Sequence, residues 1–220
     1  MQRIIYLLVI SVVTATVAFS NSEPKEILPI EAEAKQTKLF REILNELAST
    51  HYATLEIDNA LSEDYLRNYI DRLDSSKRFF LASDIAEFQQ WRHKLDDLAK
   101  RGDITAGFYI YNRLRDRATT RLQDSIDLLK SKQFKFDFKL DESIVIDADQ
   151  RPWFSNSEQA DDFWRKAMKD SIIRLILSGK EQQEARDLLV KRYKALYNQY
   201  AQRNSKDVFH RTGNLGSNNI

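Results

Sequence analysis

The sequence contains no cysteine, which removes disulfide frameworks, thiol nucleophiles and thiolate metal sites at once. Glycine (5) and proline (3) are scarce across 220 residues. Chain reversals are therefore few, and long helices are favoured over many short strands. The three histidines, His51, His93 and His210, stand far apart. None belongs to an HExxH helix, so a helix-borne zinc site has no support. The glycines, where they stand, cannot build a GxGxxG or Walker-type loop, and no cofactor is implied. A formal charge of +1 offers no bulk electrostatic pull toward nucleic acid or an anionic membrane. What is plentiful is apolar material, 42% of residues with 11% aromatic, enough for one sizeable core.

The first twenty residues read as a separate unit. Arg3 is their only charge, Ile4 to Phe19 is a mostly apolar run, and Ala18 and Ser20 are small residues at −3 and −1 of a cut between Ser20 and Asn21. This is the anatomy of a secretory signal peptide. Left uncut, a run of this length approaches the about 20 residues that span a bilayer and would serve as an anchor. Cleavage removes one base and leaves 33 basic and 33 acidic residues, a mature net charge of zero. The chain is expected to be exported, with no membrane association once the leader is gone.

A tether over 21–30 holds Pro24 and Pro29, and helical periodicity begins after it. Leu39, Phe40, Ile43, Leu44 and Leu47 fall on one stripe. In "LSEDYLRNYIDRLD", Ser62 is placed to cap a second helix, with Leu61 and Leu66 as its hydrophobic staple. Ser83 is expected to cap a third, with Asp84 and Glu87 in its first turn, running through Ile85, Phe88, Trp91, Arg92 and Leu95 until Gly102 stops it. A long fourth helix spans 105–130 and carries Phe108, Tyr111, Leu114, Ala118, Leu122, Ile126 and Leu129. "FKFDFKLDESIVIDADQRPW" then alternates Phe134, Phe136, Phe138 and Leu140, followed by Ile144 and Ile146, the pattern of an extended segment packed across the bundle. Ser155 and Glu158 form a capping-box pattern for a fifth helix bearing Phe163, Trp164, Ala167, Met168, Ile172 and Ile176, ended by Gly179. A last helix over 180–203 carries Leu188, Leu189, Tyr193, Leu196, Tyr197 and Tyr200. With no internal repeat, the reading is all-α: a single irregular multi-helix domain over 31–209 with one extended segment.

Catalytic constellations are hard to assemble. Asp96/Asp97 and Asp161/Asp162 are adjacent pairs, which diverge by roughly 100° on a helix and do not converge for acid–base work. The Ser-x-x-Lys spacing that brings an amine to a hydroxyl occurs at Ser22–Lys25, in the tether with Pro24 inside it. Ser76–Lys77 and Ser205–Lys206 are direct neighbours, which orients neither side chain on the other. The adjacent Phe79 and Phe80 follow a tight connection over 74–78 and are expected to anchor the next helix in the core, each burial worth about 1.5–3 kcal/mol.

Taken together, "YIDRLDSSKRFFLASDIAEF" (69–88), "GDITAGFYIYNRLRDR" (102–117), "RPWFSNSEQADDFWRKAMKDSIIRL" (151–175), "LLVKRYK" (188–194) and "QRNSKDVF" (202–209) form a specific combination. In that order and spacing the chain resembles the N-terminal region of the tail-specific proteases, the carboxy-terminal processing peptidases of the bacterial periplasm. The resemblance implies a protease of three parts: an N-terminal helical domain, a PDZ-like domain and a Ser–Lys catalytic core. No counterpart of the catalytic serine or lysine is present, so the chain alone is expected to be no enzyme. After Phe209 the chain departs from the family pattern: "HRTGNLGSNNI" is polar, is expected to be disordered over 210–220, and reads as a truncation or frameshift before the PDZ and catalytic domains. The resemblance further implies a periplasmic scaffold and a surface for protein substrates or a lipoprotein adaptor. The alternative is a free-standing periplasmic protein-binding or chaperone-like helical module. In either case Tyr193, Leu196, Tyr197 and Tyr200 form the candidate interaction surface, through which self-association is also expected.

Overall fold

The structure, a computed structural model, describes residues 27–50 and 58–213, so the leader, its cut at Ser20–Asn21 and the Ser22–Lys25 pair lie outside it. Eight α-helices follow one another among the described residues: α1 (Ala34–Thr50), α2 (Asn59–Leu73), α3 (Ala82–Phe88), α4 (Leu95–Lys100), α5 (Thr105–Lys130), α6 (Ser157–Leu177), α7 (Gln182–Ala201) and α8 (Ser205–Gly213). The all-α reading holds.

Helix α5 is the axis of the fold, and every member of its expected stripe from Phe108 to Leu129 is buried. Its first half packs with Tyr69 and Ile70 of α2, with Phe80 and Phe88, and with Val208 of α8 in one core. Its second half, at Leu122, Ile126 and Leu129, packs with Phe163, Trp164 and Ile172 of α6 and with Leu189 and Tyr193 of α7 in a second. Helix α7 covers α5 more extensively than any other helix does.

Caps and breaks differ from the expected positions. Asp58, not Ser62, caps α2 by accepting from the Leu61 N–H at 2.9 Å. Ser62 is buried instead, donating to Asp96 Oδ1 (2.8 Å) and accepting from its N–H (2.7 Å), which ties α2 to α4. Ser83 lies inside α3; Asp84 reaches back to the Leu81 N–H at 2.9 Å and closes that terminus. The helix expected to run on to Gly102 ends at Phe88, turns through a 3₁₀ segment (Gln89–Trp91), and resumes as α4. A three-residue spacing such as Phe88–Trp91 fits 3₁₀ and α geometry alike, so the apolar rhythm conceals the break. Gly102, at φ +75, stops α4, and a Cβ there would meet the Thr37 carbonyl at 3.1 Å. The capping box of α6 is displaced by one residue: Asn156 accepts from the Gln159 N–H (2.9 Å), and the Gln159 side chain accepts from Ser155 N–H (3.0 Å).

Both the last residues of the tether and the start of the tail are tied to the bundle, the second against expectation. Within the tether, the Asn112 amide clasps both the N–H and the carbonyl of Ile30 at 2.9 Å, and Arg115 donates to the Leu28 carbonyl at 2.7 Å. The segment expected to lose order from His210 stays helical to Gly213. Thr212 is buried over Gly107, its carbonyl accepting from Tyr65 Oη at 2.7 Å, so small-residue packing holds a stretch whose composition looks like coil. Residues 214–220 lie outside the described residues. The stripe of α1 is only partly used. Phe40 packs on the first core while Leu39 and Ile43 stay exposed, because α1 is backed mainly by the six-residue α4.

The segment between α5 and α6 contains no strand among the described residues; a single parallel bridge joins Leu81 to Phe154. Phe136 is buried, but Phe138, Leu140 and Ile146 are exposed, so the alternation is honoured only at its start. Two basic residues of α6 hold this segment down. Lys169 donates to the Leu140 carbonyl (2.9 Å) and to Glu142 (2.7 Å), and Arg165 pairs with the same carboxylate. Glu142 is thereby held well below the usual carboxylate range, at about 2, by its hydrogen bonds from Arg165 and Lys169.

Candidate protein-binding groove

The connection between α2 and α3 positions the candidate site. Buried Asp74 accepts the backbone N–H groups of Arg78 (2.9 Å), Phe79 (2.8 Å) and Phe80 (3.0 Å), and Lys77 takes the left-handed conformation at φ 49. Burial pushes the Asp74 carboxyl up, and these three donors work against it. With three successive amides fixed, adjacent side chains diverge: Phe80 is fully buried in the first core, and Phe79 turns toward α6 and α7. The Phe79 ring lies 5.6 Å from Trp164 and 5.4 Å from Tyr200, edge-on to the latter. Trp164 meets Tyr193 edge-on at 5.8 Å, and its indole N–H donates to the Arg78 carbonyl at 3.1 Å. Offset and edge contacts of this kind each add about 0.5–1.5 kcal/mol beyond area burial.

Above this aromatic floor a groove of about 370 Å³ opens. Ile144 and Ile146, held near α6 by the Glu142 clasp, line one wall, and Leu189, Tyr193, Leu196 and Tyr200 of α7 line the other. Three of the four residues expected to form an interaction surface therefore share one groove. Tyr193 is at its base, its hydroxyl pushed up to about 12 by burial; Leu196 stands 39% exposed at its lip; Tyr200 closes one end against Phe79. Tyr197 does not line the groove and packs half-buried on the second core. Arg78, Phe79, Trp164, Ile144 and Ile146 come from distant segments, and no local pattern marks them as one site. Trp164 and Phe79 could be read as core; Arg78 could be read only as part of a turn.

A second recess of about 440 Å³ lies along α5, lined by Arg113, Arg117 and Arg121. Its arginines are already paired. Arg113 pairs with Asp84 (2.7 Å) and Glu87 (2.9 Å), Arg117 with Asp84 (2.9 Å), and Arg121 with Asp161. Burial raises the Asp84 carboxyl, but Arg117, the Leu81 N–H and Arg113 outweigh it and hold the group below its ordinary value. That recess is an ion-pair network joining α3 to α5. In the groove, by contrast, the Arg78 side chain has no ion pair or hydrogen bond among the described residues, and its Nε is buried without a partner.

The short-range hydroxyl–amine neighbours serve the framework. Lys77 Nζ donates to the carbonyls of Ala148 (2.9 Å) and Arg151 (3.3 Å), and Ser205 donates to Glu33. His93 sits exposed beside Glu63 at 3.7 Å. Among the described residues no three His, Asp or Glu gather as a metal cluster, and no helix is long and apolar enough to cross a membrane.

Fold and groove together define an all-α domain with an aromatic, partly open surface cleft. Residues 43–215 match the family model described as the tail specific protease N-terminal domain, and the chain belongs to that family. It is similar to the tail-specific protease of Haemophilus influenzae, 29% identical over 188 residues that cover 84% of this chain and 26% of that relative. The chain thus spans about a quarter of the length of the curated relative it matches.

Proposed function

We propose that this is a non-catalytic helical domain of a periplasmic tail-specific protease, a scaffold whose groove receives a protein substrate or a lipoprotein adaptor for selective proteolysis. The observation that carries the reading is the groove itself. Aromatic residues from the loop after α2, from α6 and from α7 converge on a concave apolar surface, a form that marks binding sites in soluble proteins. The apolar leader read from Met1–Ser20 supports an exported location for the domain.

The test uses a permanently unfolded, fluorescein-labelled protein as probe, titrated with the purified chain and followed by anisotropy. Saturable binding that is weakened at least about tenfold by Leu196→Glu, with no hydrolysis of the probe, is the expected result; each tenfold is about 1.4 kcal/mol. Leu196 is exposed, so the substitution leaves the core intact. Binding indifferent to Leu196→Glu removes the groove from the function, and hydrolysis that survives removal of contaminating proteases removes the non-catalytic assignment.

A further inference from the structure

We infer that the segment received by the groove carries an aspartate or glutamate among apolar residues, and that its carboxylate pairs with Arg78 in the middle of the groove. This rests on the protein-binding reading above and adds the chemistry of the partner.

Three observations carry it. First, Arg78 brings a positive charge into an aromatic setting, its guanidinium 5.9 Å from the Phe163 ring, with Nε buried and no partner among the described residues. Arg78 as a whole is only half-buried, and an unpaired guanidinium lining a groove is matched best by the two oxygens of a carboxylate. Second, the local acids are already engaged. Asp74 accepts three backbone N–H groups, and Asp170 at the groove wall takes Arg174 Nε at 2.9 Å. Arg151 nearby adds charge of the same sign, and burial together with Arg78 holds its guanidinium below its ordinary value. Arg192, exposed on the α7 wall with no ion pair among the described residues, extends the positive field that would steer an acidic segment in.

Third, the placement selects a side-chain carboxylate over a chain terminus. From Leu189 to Tyr200 the α7 wall runs about 16 Å at about 1.5 Å per residue. The Arg78 carbonyl accepts from the Trp164 indole at 3.1 Å, and that indole meets Tyr193 at 5.8 Å, which sets Arg78 beside Tyr193, between those two ends. A partner chain terminating at Arg78 would leave one half of the apolar wall unfilled, whereas an internal acid allows apolar residues on both sides.

The experiment compares three labelled peptides of about nine residues, long enough at about 3.3 Å each to overhang the wall. All share the same alternating leucine and serine residues. One has a central glutamate and an amidated end, one a central glutamine and an amidated end, and one a central glutamine with a free terminal carboxylate. The glutamate peptide should bind about 10- to 100-fold tighter than its glutamine twin, the scale of a charge-assisted contact, and Arg78→Gln should erase that difference. Arg78→Lys should retain part of it, keeping charge without the fork. Equal binding of all three, abolished by Leu196→Glu, leaves the groove reading standing and overturns this inference. Preference for the free terminus overturns the side-chain assignment. Failure of every peptide to bind overturns both readings. A parent chain that dimerises by light scattering, and returns to monomer with Leu196→Glu, makes a second copy the occupant and also overturns the inference.

Discussion

Phe79 and Phe80 share a peptide bond and little else. Phe80 is fully buried against Phe88 at 5.3 Å, so Phe80→Ala should cost about 3–5 kcal/mol as a buried aromatic truncation. Phe79 is half-buried, and Phe79→Ala should cost about 1–2 kcal/mol, in the ordinary range for a partly exposed site. Urea unfolding of the two variants measures the gap, and equal losses would contradict the packing. A second residue-scale expectation concerns acid. Glu142 has a folded pKa of about 2 against an ordinary 4.5. A depressed carboxylate contributes stability that is fully present above about pH 4.5 and is lost as pH falls toward 2. Unfolding midpoints between those limits should decline with acid, and Glu142→Gln should flatten that part of the decline.

Helix termini illustrate what could be read from the chain and what could not. The span of α5 and the stops of α4 and α6 at Gly102 and Gly179 were legible, because an unbroken stripe and left-handed glycines leave few alternatives. Ser62, Ser83 and Ser155 were plausible caps, yet Asp58, Asp84 and Asn156 do the work, since several small polar residues near each start compete and tertiary contacts decide. Of the groove, Tyr193, Leu196 and Tyr200 were legible as a stripe. Arg78, Ile144 and Ile146 were not, because only the folded chain brings them there. Arg186 has a role that carries no signal in the sequence. It is buried in α7 and donates to the carbonyls of Leu129 (2.7 Å), Ser131 (3.0 Å) and Phe134 (3.1 Å), closing the open end of α5 from another helix. Arg186→Ala should cost about 2–4 kcal/mol by leaving several carbonyls unsatisfied, with loss of amide-exchange protection concentrated in the last turn of α5. Protection lost evenly along the helix would contradict this capping role.

At the scale of the whole molecule, two cores share one helix. Because α5 contributes Phe108 to Leu114 to the first and Leu122 to Leu129 to the second, neither can dissolve without unwinding the other's support. Thermal unfolding should therefore be one transition, with circular dichroism and tryptophan emission tracing the same curve; separated midpoints would show two independent units. The Asp74 connection has a consequence of a different kind. A single run of seven residues both seats Phe80 in the foundation and sets Phe79 and Arg78 in the lining of the groove. Under the proposed binding role, most changes within that run would alter affinity and robustness together, so neither could be tuned there alone. Leu196 and Arg192, exposed on the groove side of α7, carry no such double duty, and under the same proposal those two positions are where binding preference could change with the fold left intact.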